Sequence, residues 1–299
     1  MYQLIIFMKK IFLLGLAFLA GLTSYSQIVL LSGVNNGSYH LLAEDIKKIS
    51  SKPIEVRYSG GSNDNFLQLK ENKGIDIAFL QYDVLLYKEM QNQITKGELQ
   101  VLLPMAYEEI HLITLNDSTI KGIADLKGKK VAIGSPDQGT NITAKLIKLK
   151  LGIEWIDVEI AFNDAFVSLL SNEIDAFFFV GATPVEKLSK LSRGVSNFIK
   201  LIPIEDERLN DIYSKVQIRA NNYRWIDKDI NTYAVKSVLV CNTVNRKITD
   251  ADIELLLSEI DKNLSKLQTE GHAKWKQLDF YFEDIHWPLH PATKKIFID

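Results

Sequence analysis

One unit, strand–polar loop–helix–strand–helix–strand, is written twice in this chain, and that repetition limits the fold more than any other feature. In the first copy Ile28–Leu31 is a short apolar strand and Ser32–Ser38 a polar, glycine-containing loop. Tyr39–Ile49 follows with Leu41, Leu42, Ile46 and Ile49 at helical spacing. Ile54–Tyr58 alternates as a strand, Ser59-Gly60-Gly61-Ser62 is a tight turn, Asn63–Lys70 a short helix and Gly74–Leu80 a buried strand. About a hundred residues later the order returns as Val131–Ile133, Gly134–Thr140, Asn141–Leu151, Val158–Phe162, Asp164–Leu170 and Ile174–Val180. Ile75-Asp76-Ile77-Ala78-Phe79 is echoed by Ile174-Asp175-Ala176-Phe177-Phe178. Matching order, loop chemistry and offset predict two β-α-β-α-β lobes of like design, each with its own core.

Two long apolar stretches lie outside the repeat. Val101–Leu115 carries Pro104 and His111, and Thr232–Cys241 is rich in valine. If both run as strands between the lobes, the chain leaves the first lobe near Tyr107 and returns near Val235. The expected division is residues 27–107 with 236–299 in lobe I, and 108–235 in lobe II. Thr249-Asp250-Ala251-Asp252 is a helix N-cap signal before the amphipathic run Ala251–Leu267, and a last helix begins near Pro291. Two parallel lobes face to face make a clamshell, with ligands bound where loops follow the carboxyl ends of the strands.

Composition narrows the class. With 35 Lys+Arg against 37 Asp+Glu and 46% hydrophobic residues, the chain of 299 has the averages of a soluble globular protein. That balance offers no electrostatic footprint for nucleic acid. A single cysteine, Cys241, excludes an intramolecular disulfide and a cysteine-based zinc site. At the start, Lys9 and Lys10 precede the apolar run Ile11–Leu22, and Thr23-Ser24-Tyr25-Ser26 places small residues before Gln27. Residues 1–26 therefore read as a cleaved signal peptide. The run is about 18 Å long as a helix, too short for a hydrocarbon core of roughly 30 Å. Met8 would serve equally well as the start. The mature protein is expected outside the inner membrane.

Three polar loops share one vocabulary: Ser32–Tyr39, Ser59–Ser62 and Gly134–Asn141. Each follows a strand and opens a helix, where unpaired N–H groups can donate to an anionic oxygen. Ordinary βα turns capped by Ser, Thr or Asn have the same appearance one at a time; three together favour a binding cleft. Neither a P-loop nor a Gly-x-Gly-x-x-Gly dinucleotide fingerprint occurs. No cofactor is called for. His286 and His290 are separated by Trp287-Pro288-Leu289, which breaks helical spacing, so a metal site is not expected. Catalytic residues are not expected either: there is no Gly-x-Ser-x-Gly elbow, and Cys241 lies in an apolar strand without a basic partner. Glu108-Glu109 reads as a solvated face.

At these loops the chain resembles the extracytoplasmic solute receptors of TRAP transporters, specifically the TAXI family. The resemblance runs from about Ile28 to Lys295. It rests on Gly33…Gly37-Ser38-Tyr39, Ser59-Gly60-Gly61-Ser62…Asn65, Asp76–Gln81…Asp83-Val84, Ile123–Val131, Gly134-Ser135-Pro136…Gly139-Thr140, Asp175–Ala182…Pro184 and Pro288–Pro291. It departs from the family at His40, Tyr82, Asp137-Gln138 and Tyr223-Arg224-Trp225. What the resemblance implies is a two-lobed periplasmic-binding-protein-like α/β clamshell of type II, with two hinge strands. The implied protein is periplasmic and monomeric. It captures a small carboxylate metabolite, a glutamate-like amino acid or a dicarboxylate, for membrane permease subunits of a TRAP transporter. The alternative is a periplasmic sensor or partner-docking protein on the same fold. The residues expected at the ligand are Gly37, Ser38, Tyr39, Ser59, Gly61, Ser62, Asn65 and Gln81 from lobe I. From lobe II they are Ser135, Gln138, Gly139, Thr140, Gly181 and Ala182.

Overall fold

The computed structural model describes residues 27–298 apart from Asn72 and Asp279, so the expected signal peptide lies outside the described residues. The first copy of the repeat is β1 (Ile28–Leu31), α1 (Ser38–Ile49), β2 (Ile54–Arg57), α2 (Ser62–Lys70) and β3 (Ile77–Gln81). It is followed by α3 (Tyr82–Met90) and a long strand β4 (Leu99–Leu115). The second copy is β5 (Lys130–Ala132), α4 (Gly139–Leu151), β6 (Ile156–Val158), α5 (Phe162–Leu170) and β7 (Ala176–Gly181). Short helices α6 (Glu186–Ser189) and α7 (Arg193–Ser196) lead to β8 (Ile199–Leu201), β9 (Ser214–Ile218) and the second long strand β10 (Ile230–Asn242). The chain ends on α8 (Asp250–Lys262), α9 (Leu264–Glu270) and α10 (Pro291–Phe297).

Each copy forms a small parallel sheet with its first strand in the middle: β1 between β2 and β3, and β5 between β6 and β7. The two are fused through β10 and β4 in the order β2-β1-β3-β10-β4-β7-β5-β6, with β9 on β10 and β8 on β4. β10 is antiparallel to both β3 and β4, and Tyr107 pairs with Lys236, Glu108 with Val235. The register slips between Lys236 and Val238, opposite Pro104, which has no N–H for the ladder. Helices cover both faces at each end. Around β1–β3 one core holds α1, α8 and the fully buried Trp275, and the other holds Phe66, Leu69 and Trp287. Around β5–β7 the cores are built on Leu146 and Ile147 of α4 and on Phe162 and Leu169 of α5.

The echoed aspartates show what the repeat conserves physically. Asp76 N donates to Val29 O (3.0 Å) and its carboxylate accepts from Val29 N (2.9 Å). Asp175 N donates to Lys130 O (2.8 Å) and its carboxylate accepts from Lys130 N (2.8 Å). In both copies the aspartate ties the third strand to the first. For that reason the regular strand begins only at Ile77, later than the expected Gly74.

Two helical boundaries differ from expectation. The run expected as one helix over Ala251–Leu267 is two, parted at Asn263, whose side-chain amide donates to Glu259 O (2.8 Å) and whose backbone leaves the helix at φ −100°. Such a local bond competes with helix continuation. Phe162, placed at the end of a strand by its apolar neighbours, instead opens α5. Phe162, Ala165 and Leu169 form one buried stripe on that helix, a period that the three-residue apolar run Ile160-Ala161-Phe162 does not reveal. The expected cap at Thr249 is present as a reciprocal pair with Asp252.

Asp76 is 1% exposed and its other oxygen accepts from Lys247 N (2.8 Å), whereas the Asp175 side chain is 39% exposed. Asp76→Ala should therefore cost about 3 kcal/mol and Asp175→Ala about 1 kcal/mol, because only the first orphans buried donors. Urea denaturation of the two variants checks the ranking.

Candidate functional site

The second and third polar loops meet face to face. Asp64 N donates to Asp137 O (3.0 Å) and Asn63 Nδ2 donates to Pro136 O (2.8 Å). Gly60 and Gly61 permit that approach. A Cβ on Gly60 would stand 2.6 Å from the Asp137 Cβ, and Gly61 has φ +139°, which disfavours any side chain. Beneath this contact Gly139 faces Gln81 so closely that a Cβ there would lie 1.9 Å from Gln81 Oε1. The two ends of the sheet are thus closed upon each other.

The donors at the second loop are already taken, two within the segment and one across the contact. Gly60 N is taken by Asp64 Oδ2 (2.8 Å), Gly61 N by Ser59 Oγ (3.2 Å) and Asp64 N by Asp137 O. α2 also carries Asp64 in its first turn. None of the three helices has a side-chain capping bond at its N-cap, but α1 and α4, unlike α2, have no acidic residue in their first turns. Their N-termini are the ones suited to an anionic oxygen.

Several expected residues are engaged in holding the loops. Asn65 is fully buried and donates to Ser32 O (2.5 Å) and Phe79 O (2.7 Å), joining the ends of β1 and β3. Ser62 Oγ accepts from Gln81 N (2.7 Å), and Thr140 Oγ1 accepts from Val180 N (3.1 Å). Gln138 Oε1 accepts from Ser135 N (3.0 Å), closing the third loop on itself. Ser38 is half-buried at the first residue of α1, with Gly37 before it. Gly181 pairs with Glu109, and Ala182 follows it, half-buried. Tyr39 stacks on Phe79 with centroids 5.1 Å apart and interplanar angle 19°.

Below the loops lie acids that the sequence reading left at the surface. Glu108 and Glu109 are not a solvated face: both are under a tenth exposed, because β4 passes through the middle of the sheet. Glu108 Oε2 accepts from Gln81 Nε2 (2.6 Å). Glu109 Oε2 accepts from Thr183 N (2.7 Å), and its Oε1 lies 3.4 Å from the buried Lys274 ammonium. Asp83, fully buried at the start of α3, accepts from the Thr143 hydroxyl (2.7 Å) and the Tyr213 hydroxyl (2.9 Å). Burial pushes Glu108 up to about 7 and Asp83 to about 6, outweighing the hydrogen bonds that favour their charged forms. The Tyr39 hydroxyl, itself buried, faces Glu108, and burial first and then the Glu108 charge and hydrogen bonding hold its pKa well above the ordinary value. Asp83 Oδ1, Asn63 Oδ1 and Asn65 Oδ1 are buried without a partner. Three carboxylates face one ammonium here, so the floor of the contact attracts cations.

The nearby histidine is structural. His111 Nδ1 donates to Glu109 O (2.9 Å), and Nε2 accepts from the Tyr223 hydroxyl (2.8 Å), which in turn accepts from Val185 N (3.0 Å). Burial holds it neutral, with its pKa pushed down to about 4. Cys241 is fully buried in β10, and its thiol is pushed up to about 12 by burial. His290 caps α10 by accepting from Ala292 N (3.2 Å). Among the described residues no group of three His, Cys, Asp or Glu is placed to hold a metal ion. An open groove of about 640 Å³ lies elsewhere, between residues 204–207 and the β9–β10 pair, and none of the expected ligand residues lines it.

With this geometry in view, the family match is decisive: the NMT1-like family covers residues 31–298. The chain belongs to the NMT1-like family. Its fold is that of type II periplasmic binding proteins, a two-lobed α/β clamshell. The GluR0 ligand-binding core from Nostoc punctiforme, solved with L-glutamate, is 13% identical with TM-score 0.50, over 84% of this chain and 96% of that one. XAC2383 from Xanthomonas citri, solved with ATP, is 11% identical with TM-score 0.53, over 90% and 94%. A structure described as a periplasmic transporter is 12% identical with TM-score 0.51, over 83% and 89%. A curated protein, disintegrin and metalloproteinase domain-containing protein 5 from Macaca fascicularis, is 26% identical over 153 residues. That match takes in 48% of this chain and only 19% of the other. Among the described residues no helix is long and apolar enough to cross a membrane.

Because the Glu108 pKa is raised, its favourable contribution to stability is complete below the ordinary carboxylate range and is lost as pH rises through about 7. Glu108→Gln should be as stable as the parent at pH 5 and more stable at pH 8, by about 2–3 kcal/mol. Urea unfolding at the two pH values measures the difference.

Proposed function

We propose that this member of the NMT1-like family is an extracytoplasmic solute receptor that closes its two lobes on a small amino acid and delivers it to membrane permease subunits of the TRAP type. The lobes would be residues 27–107 with 236–299, and 108–235, joined where β4 and β10 pair. The mature protein would act in the periplasm as a monomer after loss of residues 1–26, as in the TAXI receptors it resembles. The observation that carries the reading is the meeting of opposite binding chemistries at the lobe contact. The N-termini of α1, at Gly37-Ser38-Tyr39, and α4, at Gly139-Thr140, offer backbone donors to a carboxylate. Glu108, held by Gln81 beside the buried Tyr39 hydroxyl, offers an acceptor to an ammonium.

This arrangement favours the amino-acid half of the expected ligand class over the dicarboxylate half. A dicarboxylate has no ammonium to offer Glu108, so Glu108, Asp83 and Glu109 would meet only like charge in a site of low polarity, where repulsion is strong. Ligand contacts from both lobes would supply the differential affinity that shifts the population from open to closed.

Calorimetry on residues 27–299 with amino acids, dicarboxylates and sugars tests the proposal. Saturable binding of an amino acid is expected, weakened roughly 10- to 100-fold by Glu108→Gln, the value of one charge-assisted hydrogen bond. Binding of sugars alone, with no response to any carboxylate, overturns it. Gly139→Val should abolish binding while leaving the thermal transition in place, since its side chain meets Gln81 across the contact and not within either core.

A further inference from the structure

Asp83 belongs to α3, whose backbone N–H groups at Asp83 and Val84 act on its carboxylate, yet both side chains that bind it come from the opposite side of the contact. The Thr143 hydroxyl of α4 reaches its Oδ2 at 2.7 Å, and the Tyr213 hydroxyl, from the segment before β9, reaches the same oxygen at 2.9 Å. Thr143 also lies 3.4 Å from Gln81 Oε1, but a hydroxyl has one proton and the shorter, charge-assisted partner takes it. The other carboxylate oxygen, Oδ1, is buried with no partner. Asp83 and Thr143 are fully buried, and Tyr213 is 3% exposed. A carboxylate half-satisfied and sealed from water is expensive to keep charged, and it becomes so only when the lobes meet.

We propose that Asp83, Thr143 and Tyr213 form a proton-operated latch: the lobes close as Asp83 takes up a proton and part as it gives one up. This regulates the same site as the receptor reading and rests on it for the existence of an open state. Among the described residues no cation is placed to take the proton's place. Tyr39 from α1, Glu108 from β4 and Asp211 beside Tyr213 are the titratable groups that act on this cluster, and the two carboxylates among them oppose its charge. Lys88, on the same helix as Asp83, lies over the Phe66 ring (5.3 Å), and Lys145 of α4 is paired with Glu159 (2.6 Å). Lys274 acts on Glu108 and Glu109 instead.

In the closed form burial raises Asp83 to about 6, while exposure in an open form returns it to the ordinary range. Closure then binds a proton between those limits. The closed-to-open ratio should fall on the order of tenfold per pH unit across that window, and Glu108 adds a second, later contribution.

Small-angle X-ray scattering of ligand-free residues 27–299 from pH 4.5 to 8 tests the latch without any solute. The radius of gyration should rise with pH in the parent, less steeply in Asp83→Asn, and not at all in Asp83→Asn/Glu108→Gln. Thr143→Val, which removes one donor and keeps the carboxyl, should move the expansion to lower pH and decides the matter if Asp83→Asn does not fold. A parent radius independent of pH overturns the proposal, as does an unchanged profile in either the Asp83→Asn or the Thr143→Val protein. Failure of every solute to bind while the pH profile persists would count against the receptor reading and leave the latch standing.

Discussion

The antiparallel pairing of β4 with β10 is the interaction on which the rest of the molecule depends. Without it the sheet would fall into two parts, β2-β1-β3-β10 and β4-β7-β5-β6, each with a further exposed edge. The ladder from Leu99–Asn242 to Glu109–Ala234 fuses those edges and leaves only outer strands at the rims. It also fixes where polar groups can stand. Residues on a strand covered on both faces by helices are buried whatever their chemistry, so Glu108, Glu109 and His111 enter the interior by position.

That placement sets up opposing electrostatic demands at one spot. Two helix starts without acidic residues bring partial positive charge toward the contact, and the central strands bring carboxylates beneath it. Neither is neutralised by a dense shell of countercharges, because Lys274 is committed to Glu109, Tyr107 O and Gln277. A dipolar solute complements such a site; a uniformly charged one leaves part of it unanswered.

The architecture was legible because it is written in hydrophobic period and repetition. Asp76 and Asp175, loops of like composition and two long apolar runs located the parallel sheets and the two crossing strands. Side-chain commitments were less legible. Asn65, Ser62 and Thr140 have the chemistry of ligand donors, but they tie strand ends together, and only their distances to Phe79 O, Gln81 N and Val180 N disclose it. Glu108 and Glu109 carried a usable signal: they interrupt an otherwise apolar strand, Val101–Leu115, at its midpoint, where solvent cannot reach. Asp83, Thr143 and Tyr213 carried none, since their meeting joins segments up to 130 positions apart.

The closeness of Gly139 to Gln81 has a kinetic meaning. Where not even a methyl group fits between them, a solute, on the proposed reading, would enter only once the lobes had parted. The observed association rate would then level off at high solute concentration at the rate of spontaneous opening, far below the diffusional ceiling. On the receptor reading proposed above, a single glycine facing a single glutamine would make lobe motion, and not the supply of solute, the clock of loading.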